Sequence, residues 1–141
     1  MKRLEDLWTR LRADGLRRTP QREAIVEVLA DAGAALPASV VFARARRRLP
    51  GLGERTLERT VALLTDAGAL DAIPSAGGTI VYRLCGVGGH HHHLVCRMCG
   101  AVAELSRCDI PEWVDPQAAA RGFQVDGHDL TVHGLCSACR S

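Results

Sequence analysis

The stretch His90-His91-His92-His93-Leu94-Val95-Cys96-Arg97-Met98-Cys99 decides how this chain is read. It sets four imidazoles and two thiols side by side. A second pair, Cys136-Ser137-Ala138-Cys139, follows after an interval of 36 residues. All six cysteines and all six histidines lie between Cys85 and Cys139. Clustered Cys and His in a reducing compartment point to metal rather than to disulfides. Each Cys-x-x-Cys turn presents two thiolates to one ion, and two such turns complete a tetrahedral four-cysteine zinc site. Cys96, Cys99, Cys136 and Cys139 are therefore expected to hold a structural zinc. A closed all-cysteine set has no open position, which argues against catalysis there. A redox dithiol would sit near a βαβ pattern, and none is visible. The long interval is not that of a simple zinc ribbon and must contain structure of its own.

Residues 1–84 hold neither cysteine nor histidine, and their charge differs. Residues 1–84 carry 14 Lys+Arg against 10 Asp+Glu; residues 85–141 carry 4 against 6. A basic front suits a polyanion partner, because neutralised phosphates release counterions. Leu4, Leu7, Trp8 and Leu11 recur at helical spacing, and Gly15 ends that helix. Thr19-Pro20 reads as an N-cap followed by proline in the first turn. Ile25, Val28 and Leu29 give a second helix its buried face; Ala38, Val41, Phe42, Ala45 and Leu49 give a third. Pro50-Gly51 breaks the chain. A fourth helix runs from about Glu54 to Ala67, closed by Gly68. Its inner stripe is Leu57, Val61 and Leu64, and its outer face carries Arg55, Thr56, Arg59 and Thr60. Ala69–Ile73 and Thr79–Leu84 read as strands joined by a turn at 75–78. Helices followed by a β-hairpin make a winged helix, with the last helix in the DNA major groove. Arg44, Arg46, Arg47 and Arg48 are equally readable as a solvated helix face.

The histidine run looks extended, and neighbours on a strand point to opposite faces. His91 and His93 then share one face, His90 and His92 the other, so four histidines imply two separate sites. Cys85 is near enough in sequence to join His91 and His93. Asp71, in the first strand of the hairpin, would lie beside Cys85 on the second. An Asp-Cys-His-His set suits Zn²⁺, and its thiolate disfavours hard ions. For His90 and His92, Glu112 and His128 are candidate partners, but spacing alone does not choose them over Glu104, Asp109 or His133. His133 is read as an ordinary strand histidine, and Cys108 as a small buried thiol without a function. Ala101–Leu105 and Phe123–Val132 read as strands. Between them, a helix either begins at Asp115-Pro116 or begins at Pro111 and is kinked by Pro116. The expected class is α+β: a winged-helix domain (1–84), a hinge (85–89), and a small α/β zinc-containing dimerisation domain (90–141). Two heads on a two-fold axis would match a palindromic operator.

Taken in order, four motifs resemble the ferric uptake regulator family along nearly the whole chain. They are Gly15-Leu-Arg-Arg-Thr-Pro-Gln-Arg22; Arg55-Thr-Leu-Glu-Arg59 with Asp66-Ala-Gly68; the run from His90 to Gly100; and His133-Gly-Leu-Cys-Ser-Ala-Cys139. Within it the zinc-sensing branch is most similar, through Asp71, Cys85 and the four histidines. The resemblance implies DNA contacts from Arg17, Arg18, Gln21, Arg22, Arg55, Thr56, Glu58 and Arg59. It also favours Glu112 and His128 as ligands with His90 and His92. Two departures stand out. Thr56-Leu57-Glu58-Arg59 replaces the family's usual Thr-Val-Tyr-Arg, so an acidic side chain faces the DNA. Leu36-Pro-Ala-Ser39 lacks the histidine often found there in iron-type members.

The implied function is a zinc-responsive repressor, dimeric on palindromic double-stranded DNA when zinc is plentiful, controlling zinc uptake genes. Two to three zinc ions per chain are expected, with no small-molecule substrate and no membrane partner. The N-terminus has no signal-peptide pattern, so the chain is expected to stay in the cytoplasm. The rival within the family is an iron, manganese or peroxide sensor, against which Cys85 counts. A zinc hydrolase or deaminase would need an open metal position, and the deaminase signature is absent. A zinc buffer would have no use for the basic helices.

Overall fold

The computed structural model describes residues 2–85 and 90–140. It divides into two compact units, Met1–Gly88 and Gly89–Ser141. Of the expected hinge 85–89, residues 86–89 lie outside the described residues.

The first unit opens with α1 (Lys2–Ala13), which buries Leu7, Trp8 and Leu11 and exposes its charged face. α2 (Pro20–Ala32) starts where Thr19 Oγ1 accepts the Arg22 N–H at 3.3 Å. Pro20 costs nothing in that first turn, where the amide would have no helical partner. Gly33, at φ 59°, turns the chain out of the helix in the left-handed region that glycine tolerates. A two-residue β1 (Leu36–Pro37) leads into α3 (Ala38–Arg48), and α4 (Glu54–Asp66) follows. The core joins α1 through Leu11, α2 through Ile25 and Val26, α3 through Val41, and α4 through Leu57 and Leu64. Each such side chain contributes about 1.5–3 kcal/mol through its removal from water.

α4 shows one difference from the sequence reading. Thr60, expected outside, is buried with Leu57, Val61 and Leu64. Position 60 falls three residues after Leu57 and four before Leu64, inside the helical stripe, and a threonine methyl packs there. Arg55, Thr56, Glu58 and Arg59 remain exposed. Beyond α4, β2 (Leu70–Pro74) and β3 (Ile80–Leu84) form an antiparallel hairpin, with β1 on the other side of β3. The hairpin turn closes through Ser75 N–H to Thr79 O at 2.8 Å. Helices plus this hairpin are the winged helix the sequence implied.

The second unit is a three-stranded sheet and one helix: β4 (His92–Cys96), β5 (Val102–Leu105), α5 (Ile110–Ala120) and β6 (Thr131–Gly134). β4 lies in the middle, antiparallel to β5 and parallel to β6. α5 takes the second of the two sequence readings, with Pro111 in its first turn and Pro116 inside it. The expected strand over Phe123–Val132 is shorter in the structure; only Thr131 onward is strand. Asp126-Gly127-His128-Asp129 explains this, since such residues favour turns over a ladder. Few side chains of this unit are buried: Val95, Cys96, His92 and His93. α5 buries none, and Trp113 and Phe123 stand 69% and 72% exposed.

Candidate metal centres and nucleic-acid interface

The four expected cysteines come together because β4 and β6 run parallel. Cys96 closes β4 opposite Gly134 of β6, so both Cys-x-x-Cys turns leave the same end of the sheet. Each turn is tied locally: Gly100 N–H to Cys96 O at 2.9 Å, and Cys139 N–H to Cys136 O at 3.0 Å. Gly100, at φ 77°, supplies the left-handed bend that follows the first turn. The ligand atoms of Cys96, Cys99, Cys136 and Cys139 all lie within 4.8 Å of one another. The Sγ atoms of Cys99 and Cys136 are 3.7 Å apart. Sulfurs bonded to a tetrahedral zinc at about 2.3 Å are separated by about 3.8 Å, so this donor set fits zinc. The Cys136 N–H, 3.4 Å from Cys96 Sγ, is the chief cause that lowers the Cys96 thiol to about 6; the Cys99 N–H adds to it. Cys139 is pushed up to about 12, chiefly by Cys136 and then by Cys99 and Cys96, because a thiolate there would face other sulfurs.

The histidines sort as strand alternation requires. The His90 and His92 rings meet edge to face at 4.6 Å between centroids, and His91 and His93 do so at 4.9 Å. His90 and His92 gather with His128 and Cys108, all ligand atoms within 4.8 Å. His92 is held below its usual pKa, first by burial and then by neighbouring His90 and His128, which keeps it in the neutral form that binds metals. Glu112, expected here, is exposed in the first turn of α5 and is not in this group. Cys108, in the connection from β5 to α5, is. A usable signal was present in the sequence: Cys108 was the one cysteine left without a role in a metal-rich segment. Glu104 pairs with His93 across β4 and β5, and His133 is exposed on β6.

In the first unit, Asp71 and Cys85 lie on one face of the hairpin. Asp71 is paired with Arg83, and the Cys85 N–H bonds Ala69 O at 2.9 Å, which extends the ladder by one step. Residues 69, 71, 83 and 85 therefore share a face. The Asp71 carboxylate and the Cys85 sulfur are within 4.8 Å.

The expected DNA contacts divide into two kinds. On α4, Arg55, Thr56, Glu58 and Arg59 form a continuous exposed face. Near α2, Arg17 and Gln21 are exposed, but Arg22 is half-buried and bonds Arg17 O at 2.8 Å. Arg18 bridges Glu5 at 3.0 Å and Glu23 at 2.6 Å and lies over the Trp8 ring. Its charge is engaged within the unit and stitches α1 to α2. Arg48 likewise pairs with Glu27 and Asp31 of α2.

A winged helix followed by a cysteine- and histidine-bound unit defines a metal-binding transcription regulator. The ferric uptake regulator family model matches residues 13–133, and the chain belongs to that family. It is therefore a DNA-binding transcriptional regulator and not an enzyme. The zinc uptake regulation protein of Mycobacterium tuberculosis is 35% identical over 131 residues, covering 92% of this chain and 98% of that protein. The ferric uptake regulation protein of Bacillus subtilis is 34% identical over 143 residues, covering 97% and 94%. A solved zinc uptake regulator complexed with zinc and DNA superposes with a TM-score of 0.84 at 24% identity, covering 97% and 92%, a likeness of fold. The two relatives differ by one point of identity, so the metal has to be read from this chain's own ligands.

Proposed function

We propose that the chain is a zinc-responsive repressor that binds palindromic operator DNA as a homodimer in the cytoplasm and controls zinc uptake genes when zinc is replete. The observation that carries this reading is the pairing of Asp71 with the Cys85 thiol on one face of the wing hairpin. A thiolate at the sensing position favours zinc over harder ions. This reading takes two to three ions per chain, one structural and one regulatory, with a third at the His90 and His92 face.

The regulatory set is Asp71 and Cys85 from the first unit with His91 and His93 from the second. Each unit brings its own pair already side by side. A bound zinc supplies one charged centre that four donors share. Donation by all four residues at once requires the DNA-binding unit to adopt one orientation, and Asp71 and Cys85 are what fix it. Such a set shifts an equilibrium only by its differential affinity for the two arrangements, and the difference is large when one arrangement splits the ligands. By reciprocity, operator DNA tightens zinc binding at this set. A homodimer agrees with the exposed Trp113, Phe123, Leu94 and Val132 of a unit that buries little by itself.

Elemental analysis paired with DNA binding across a buffered free-zinc titration tests the reading. One tightly held zinc per chain, with further zinc switching on duplex binding, supports it. Cys85→Ser should keep the structural zinc and lose the zinc response. Binding that answers to iron or manganese alone would transfer the protein to the iron-type members, and an unchanged response in Cys85→Ser would remove the sensing set.

A further inference from the structure

We propose that Cys108 is the fourth ligand of a metal site formed wholly within the second unit with His90, His92 and His128, and that this site takes a borderline-soft divalent ion, zinc in the cell. Three segments meet there: the residues entering β4, the connection from β5 to α5, and the loop before β6. The contacts are short and mutual. His90 Nε2 is 3.0 Å from His92 Nε2 and 2.9 Å from His128 Nε2, and the latter two are 3.2 Å apart. Cys108 Sγ is 3.2 Å from His92 Nε2 and 3.1 Å from His128 Nε2.

Hydrogen bonding alone does not explain this geometry. In a neutral imidazole each ring nitrogen offers either one hydrogen or one lone pair. Three Nε2 atoms in mutual contact must therefore include at least one pair that matches hydrogen with hydrogen or lone pair with lone pair. An ion at the centre removes the conflict, because all three nitrogens then direct lone pairs at it. Donors bonded to a tetrahedral zinc at about 2.0–2.3 Å lie about 3.3–3.6 Å apart, a few tenths of an ångström wider than these separations. The thiol also decides the ion class. Three imidazoles and a thiolate suit Zn²⁺ or Co²⁺, whereas a carboxylate in that place would admit harder ions.

All four ligands belong to residues 90–128, so the site loads without the DNA-binding unit and stands apart from whether Asp71, Cys85, His91 and His93 are the sensor. It occupies the face of the β4 entry opposite His91 and His93. Filling it would tie that entry, the start of α5 and the loop before β6 together.

The test uses full-length Cys85→Ser protein with its four-cysteine zinc retained, titrated with Co²⁺. The expected result is one cobalt per chain, with the visible bands of a four-coordinate ion and a sulfur-to-cobalt charge-transfer band. Adding Cys108→Ser should abolish that band and weaken cobalt binding by more than the roughly 10–100-fold that loss of an outer-shell partner costs. Adding Cys108→His instead should keep four-coordinate cobalt without the sulfur band, which separates ligand loss from misfolding. Glu112→Gln should change neither. Retention of the sulfur band in Cys108→Ser, its loss in Glu112→Gln, or no cobalt uptake in the Cys85→Ser protein would each overturn the proposal.

Discussion

Glu58 puts an acidic side chain on the face of α4 expected to meet DNA, exposed beside Arg55, Thr56 and Arg59. A carboxylate repels phosphates but accepts from a cytosine amino group. Glu58→Gln should therefore tighten binding to non-cognate duplex while discrimination at one base pair falls by about 1–3 kcal/mol. Fluorescence anisotropy on single-substitution operators measures both. Arg59→Ala should lower affinity across all sequences and reduce the salt slope by about one. The four-cysteine site carries a pH signature. Cys96, held at about 6, enters the site as thiolate above that pH and must shed a proton below it. Protons released per zinc should thus rise by about one between pH 8 and pH 5, which calorimetry in buffers of different ionisation enthalpy can count. The cysteine quartet was legible because each pair is a local spacing. Cys108 was flagged only as a thiol left over in a metal-rich segment; its partners were not legible, because a single thiol has no spacing and its place depends on the path of the chain into α5.

Helix and strand identity came through wherever one side of an element faces a core. The stripe Leu57, Val61 and Leu64 marked α4, and only Thr60 was misassigned, at the margin of that stripe. The segment 123–130 was misread because apolar residues alternate there while Asp126-Gly127 breaks the ladder. α2 gives a clean test of local chemistry. Thr19→Ala removes the acceptor for the Arg22 N–H and should cost about 1 kcal/mol in urea unfolding. Leu64→Ala, at a fully buried site, should cost about 2–5 kcal/mol.

At the scale of the molecule the two units differ in what holds them. The first has a continuous apolar core; the second has, among its described residues, four buried side chains, and two of these are histidines. Chelation should therefore strip amide protection from the second unit and leave the helices of the first, a contrast that hydrogen exchange resolves. Phe123→Asp should shift a dimer to monomer in sedimentation, with structural zinc retained. The described residues include no helix long and apolar enough to cross a membrane. The two cysteine turns also leave a mark on the timing of synthesis. Thirty-six residues separate Cys99 from Cys136, although the strands that deliver the two turns, β4 and β6, are parallel neighbours. At about 5–20 residues per second, the ribosome makes the first pair about 2–7 s before it begins the second. During that interval the nascent chain carries half an ion site, and the four-sulfur set can close only after Cys139 has been added.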